Sequence, residues 1–156
     1  MAKSAAVKKV LLKRPEVERP LRWAFDGIEL TNITLHPKPD ANYLGSEFKF
    51  DMTIEIKVNA ERRLAIAFTK VLVQDSVTEA ILADLGAVCA YRIENFEEIF
   101  HLDGKGLYQM SDTIRTLINS LSISTCRGVL WAELRGTYLH KAVLPIFDPK
   151  SFAKKE

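Results

Sequence analysis

Between positions 47 and 58 every even residue is apolar and every odd one is charged or polar. Phe48, Phe50, Met52, Ile54, Ile56 and Val58 form one row, and Glu47, Lys49, Asp51, Thr53, Glu55 and Lys57 form the other. Side chains alternate across a strand, so this pattern predicts a strand with one dry and one wet face, whereas a helix would scatter the six apolar groups around its circumference. Sheets buried on both sides read instead as continuous apolar runs, so the scaffold predicted here is antiparallel and half solvated.

Neighbouring segments extend that sheet. Ile28, Leu30, Ile33 and Leu35 alternate with a change of parity, which predicts a bulge in a first strand close to Asn32. Residues 36–46 carry Pro37, Pro39, Asp40, Asn42 and Gly45, too many breakers over too great a length for a tight hairpin. This connection has to cross something, and Tyr43 and Leu44 lie in its middle. Asn59, Ala60 and Glu61 are short enough to join the alternating strand to residues 64–73 as a hairpin. That second strand is apolar on both faces, which places it centrally or sets its Ala65 and Ala67 side against a helix at close range. Residues 77–83 fit either a strand continuation or a helical turn. Asp84, Leu85 and Gly86 read as a reversal, followed by a last strand over 87–96 with Cys89, Tyr91 and Ile93 on one face.

The period then changes. Gly104 and Gly106 mark a loop, Ser111 or Asp112 is placed to cap a helix, and Ile114, Leu117, Ile118 and Leu121 follow the i, i+3, i+4, i+7 stripe of a helix lying on an apolar surface. The helix is predicted to run to about Arg135, with Gly136 as its stop. Ser120, Ser122, Ser124, Thr125 and Gly128 are costly in an isolated helix but let another backbone approach closely. Residues 143–149 form an apolar extended piece that ends in a short basic tail. The fold class expected is α+β: a four-stranded antiparallel sheet with one long helix and a short C-terminal helix packed on it.

Composition narrows the setting. At 156 residues with 47% hydrophobic and 27% charged positions, the chain matches one ordinary soluble domain, predicted over 21–156, and no apolar run reaches the length that crosses a bilayer. Lys3, Lys8, Lys9, Lys13, Arg14 and Arg19 against Glu16 and Glu18 give residues 1–20 a net +4, in a chain whose formal total is +2. They are predicted to form a flexible basic arm. Lys8 and Lys9 interrupt the apolar residues that a signal peptide would need, so a cytoplasmic location is expected. Cys89 and Cys126 lack Cys-x-x-Cys pairing and read as buried small apolar residues.

Catalytic and ligand motifs are missing. His36, His101 and His140 stand singly, with no partner at metal-ligand spacing, and Gly104, Lys105 and Gly106 lack the third glycine and the strand-turn-helix setting of a nucleotide fingerprint. In the strands Phe48 and Phe50 join an aliphatic row and do not build the aromatic and basic surface that base stacking needs, so nucleic-acid recognition is not expected. Neither a cofactor nor a metal is called for, and the chain is expected not to be an enzyme.

The order of strand, long connection, three further strands, loop, long helix and a Leu-Pro segment resembles the export chaperone SecB and its SecB-like relatives, over roughly residues 24 to 152. The resemblance is carried by the hairpin at Asn59, Ala60 and Glu61, by Arg115 near the helix start with Ile118 after it, and by Val143, Leu144, Pro145, Ile146 and Phe147. The proline that usually precedes the family arginine is missing. What the resemblance implies is a homo-oligomer, a dimer of dimers joined through main helices and sheet edges, with Ile118, Leu121, Ser122 and Thr125 at the interface. It also implies an ATP-independent holdase for unfolded or partly folded polypeptides, with Tyr43, Leu44, Ile146, Phe147 and Phe152 lining an apolar client groove. The alternative for those five is that they close the monomer's own core. A further alternative for function is an oligomeric structural or regulatory module with one dedicated partner. The strand faces mix Lys49 and Lys57 with Glu47, Asp51 and Glu55, which speaks against docking to a translocation motor through an acidic sheet face.

Overall fold

The computed structural model describes residues 20–43 and 47–152. The basic arm (but for Pro20) and Leu44 therefore lie outside the described residues. Four long strands, β1 (Trp23–Leu35), β2 (Phe48–Asn59), β3 (Leu64–Asp75) and β4 (Ile81–Ile93), form an antiparallel sheet in the order β1-β4-β3-β2. After them come a short helix α1 (Phe96–Ile99), a small hairpin of β5 (His101–Leu102) and β6 (Tyr108–Gln109), the long helix α2 (Asp112–Leu134), and a 3-10 turn at Pro149–Phe152. The fold class read from the sequence holds, with the expected short C-terminal helix reduced to that turn.

β1 and β2 occupy opposite edges of the sheet, so the long connection between them does cross the structure. The alternating strand pairs with β3 without a break, from Phe48 opposite Asp75 to Asn59 opposite Leu64, and closes through a turn in which Arg63 takes a positive φ of 52°. β3 is central, as its two apolar faces require. β1 contains two bulges, between Phe25 and Gly27 and between Leu30 and Asn32, where one was expected. Each bulge skips one residue, so Trp23, Phe25, Ile28, Leu30, Ile33 and Leu35 all stand opposite odd-numbered residues of β4 and share one face.

Two boundaries differ from expectation. Asp84, Leu85 and Gly86 are not a reversal but the middle of β4, and the reversal lies between Asp75 and Ala80. Asp75 organises it: Oδ1 accepts from the Val77 and Thr78 amides and from the Thr78 hydroxyl at 2.7–3.0 Å. The turn-like residues in β4 serve contacts across strands instead. A Cβ on Gly86 would come within 2.2 Å of the Asn32 Oδ1 at the second bulge, and Asn32 Nδ2 donates to Asp84 at 2.9 Å. β4 also stops at Ile93, short of the expected Phe96, because Asn95 turns the chain. Its side chain accepts from the Arg22 amide at 2.9 Å and donates to the Pro20 carbonyl at 3.0 Å.

Ser111 caps α2, its hydroxyl accepting from the Ile114 amide at 3.3 Å, and Gly136 with φ +83° ends it. The helix lies over the central strands through Ile114, Ile118, Ser122 and Cys126, which meet a surface of small residues including Ala65, Ala67 and Ala87. Two polar contacts fix its register: Tyr91 and Ser122 share a buried hydrogen bond of 2.8 Å, and the Cys126 sulfur sits 3.7 Å from Thr69 Oγ1. Burial raises the pKa of both cysteine thiols, and both are free, as the sequence reading expected.

Gly86→Ala is expected to lower unfolding stability by about 1–3 kcal/mol in urea titration, because the new methyl group drives against the Asn32 side chain. Adding Asn32→Ala should recover part of that loss.

Candidate functional site

Six apolar residues of β1 and six of β2 face the same side as α2, which packs over β3 and β4. The flanks are therefore treated differently. On β2 only Met52 is closed, while Phe48, Phe50, Ile54, Ile56 and Val58 are half buried. Beyond α2 the chain contributes Leu139, Ala142 and Leu144 to the core cluster that holds Met52, Val71 and Val73. Tyr43, Phe48, Phe50, Phe147 and Phe152 pack against that same cluster.

The β1 flank stays open. Phe25 is 45% and Ile28 55% exposed, and Leu30 and Leu35 are exposed too, although they stand on the apolar side of the sheet. At its upper end, the Phe25 ring lies 4.9 Å and the Trp23 ring 5.6 Å from Tyr91. The solvent side of α2 is a stripe of Leu117, Leu121, Ser124, Gly128 and Trp131, with Trp131 50% exposed. These positions follow the spacing of one helix face.

The residues singled out from sequence fall into three groups. Phe147 and Phe152 come together, ring centroids 6.0 Å apart, half buried against the core cluster that Tyr43 also touches. Ile146 points away from that cluster and is 94% exposed. Tyr43 is anchored: its hydroxyl donates to Asp75 Oδ2 at 2.6 Å and its ring lies edge-on to Tyr138, 6.2 Å away. It ties the crossing connection to the β3–β4 turn, a second tie being the Tyr138 hydroxyl donating to the His36 carbonyl at 2.6 Å. Of the four helix positions, Ile118 and Ser122 are closed inside this chain's own core, while Leu121 and Thr125 are half buried. Sequence reasoning missed the open β1 row and Trp131. The signal was present, since Trp131 continues the stripe of Leu117, Leu121, Ser124 and Gly128.

The opposite face of the sheet is wet and charge balanced. Lys49 pairs with Glu79 at 3.5 Å, Lys57 with Glu55 at 3.7 Å, Lys70 with Asp84 at 3.3 Å, and Arg92 with Asp26. Lys57 also stands over the Phe68 ring, 4.9 Å from its centroid. Among the described residues, no cluster of His, Cys, Asp and Glu could hold a metal ion, and no helix is long and apolar enough to cross a membrane.

This architecture is a SecB-like fold, as the resemblance implied. It matches the structure of the Mycobacterium tuberculosis SecB-like chaperone Rv1957 in complex with a ChAD peptide from the Rv1956 HigA1 antitoxin, at a TM-score of 0.53 and 12% identity, over 81% of this chain and 91% of that one. No protein-family model and no curated protein sequence matches the chain.

The Tyr43–Asp75 contact gives the site an acid limit. The Tyr43 hydrogen bond, with the Thr78 amide next in weight, holds the Asp75 carboxyl at about 2, against an ordinary 3.8. A depressed carboxyl stabilises the fold fully above its unfolded value, and the contribution disappears as pH falls from about 4 through 2. Desolvation first, and then the same bond, push the Tyr43 phenol up to about 12 from an ordinary 10.0, so its share is complete below about pH 10 and is lost as pH rises from there through 12. Tyr43→Phe is expected to lower the thermal midpoint at neutral pH and to flatten its fall between about pH 4 and 2, followed by circular dichroism.

Proposed function

We propose that this protein is an ATP-independent chaperone that holds extended, unfolded or partly folded polypeptides against the β2 flank and the C-terminal segment. The observation that carries this reading is the half-open apolar row of β2, continued by Phe147 and Phe152 and bordered by the almost fully exposed Ile146. Contiguous exposed apolar surface on a soluble protein is exceptional and marks a binding surface. β2 is also a sheet edge, whose outward backbone groups are available to an added strand. Holding a chain by apolar burial needs no covalent step, so no catalytic residue is assigned.

The open face of β1 and α2 is assigned to a second copy of the chain. Phe25, Ile28, Leu30, Leu117 and Trp131 are the exposed apolar residues that this contact would bury. Tetramerisation through further contacts is part of the same reading. The ion-paired outer face of the sheet supports client holding rather than service to a translocation motor. A second reading, a module serving one dedicated partner, is favoured by the SecB-like neighbour, which holds a peptide from one antitoxin.

Purified protein should suppress the aggregation of a chemically unfolded client without ATP. Failure with every unfolded client, combined with selective capture of one protein, would move the assignment to the dedicated-partner reading. Ile146→Asp should weaken binding of an unfolded chain about tenfold or more, since one buried large aliphatic side chain is worth about 1.5–3 kcal/mol. Ile28→Asp is expected to shift the assembly to smaller species in sedimentation velocity while leaving the circular dichroism spectrum unchanged.

A further inference from the structure

The extended segment after α2 shares an apolar cluster with the sheet through Leu144, while side chains of the helix fix the course of its backbone. Arg127 Nε donates to the Leu144 carbonyl at 2.8 Å and its Nη2 to the Pro145 carbonyl at 2.9 Å, while Asn119 Nδ2, two turns earlier on the same side of the helix, donates to the Pro149 carbonyl at 3.2 Å. The segment therefore runs antiparallel to α2. In a regular strand successive carbonyls point to opposite sides. Here two successive carbonyls face one guanidinium, so the chain cannot pair as a strand at this point. Pro145 and Pro149 have no N–H to offer either.

The consequence for the side chains is sharp. Leu144 is fully buried while Ile146, two residues on, is 94% exposed, and Phe147 turns back to the core cluster. A large aliphatic group held in water by a two-pronged clamp on its neighbours is presented for contact.

We propose that Arg127 is the positioning residue of the client surface. By clamping Leu144 and Pro145 it fixes which side chains of the segment face outward, so this part of the site reads bulky apolar side chains and makes no backbone pairing. The inference rests on the chaperone reading above. The planar guanidinium fork suits two adjacent carbonyls, and a lysine ammonium, a point charge on a flexible stem, holds only one of them well.

The test uses the full chain and fluorescently labelled, reduced and carboxymethylated α-lactalbumin as a permanently unfolded probe, with affinity read by anisotropy and folding by the thermal midpoint. Arg127→Ala is expected to bind about tenfold more weakly and Arg127→Lys about threefold more weakly, with midpoints within about 2 °C of the parent. The double variant Arg127→Ala with Ile146→Ala should bind no worse than Arg127→Ala alone, because the clamp acts through the residue it presents. A purely structural role would instead lower the midpoint and affinity together and make the two substitutions additive. Parent-like binding by Arg127→Ala overturns the positioning role and leaves the chaperone reading intact. Failure of the parent itself to bind the probe overturns both. Should Arg127→Ala not fold, parent-like affinity in the folded Arg127→Lys protein overturns the role equally.

Discussion

A helix with its side chains is about 10–12 Å across, and four strands about 4.8 Å apart make a sheet of about 19 Å, so one helix covers two strands and leaves two uncovered. Everything else in this structure follows from that mismatch. The sheet carries a dry face across all four strands, and α2 closes only its centre. On the β2 side the chain half covers the remainder with its own last residues. On the β1 side it leaves Phe25, Ile28 and Leu30 to solvent. A monomer that hid all of this surface would need a second long helix.

The two uncovered flanks differ in kind. β1 is interrupted by two bulges, which twist an edge and spoil it as a template for another strand, so its value lies in its apolar face. β2 pairs without a bulge over its whole length and, among the described residues, no strand pairs with its outer edge, which runs beside a row of half-buried aromatic and aliphatic groups. That contrast supports giving the first flank to a fixed subunit contact and the second to a variable, extended ligand. Tyr43 and Arg127 both act beside the second flank, one tying the crossing connection to Asp75, the other bonding the carbonyls of Leu144 and Pro145.

Much of this was legible in the sequence. The alternation at 47–58 gave β2 its register and face, the parity change gave one bulge, and Ser111 and Gly136 marked both ends of α2. What was illegible depended on partners far away in sequence. Asp84 and Gly86 are turn formers by type, but here one accepts from Asn32, 52 residues away, and the other leaves room for that same side chain. Helix stripes were ambiguous in a related way. α2 has a small-residue side toward the sheet and another toward solvent, so periodicity found the helix without deciding that Ile118 and Ser122 turn inward and Leu117 and Trp131 outward. α1 and the β5–β6 hairpin are too short to carry a period at all. Arg127 looked like one more charged helix residue, because its partners are carbonyls, which sequence does not display.

If the two flanks have different occupants, peptide-resolved hydrogen exchange of the assembled protein, with and without an unfolded client, will separate them. Client is expected to slow exchange in residues 47–59 and 143–152 while β1 and α2 keep the same protection in both states. Slowing confined to β1 and α2, or no change anywhere under conditions where client is bound, would contradict this assignment.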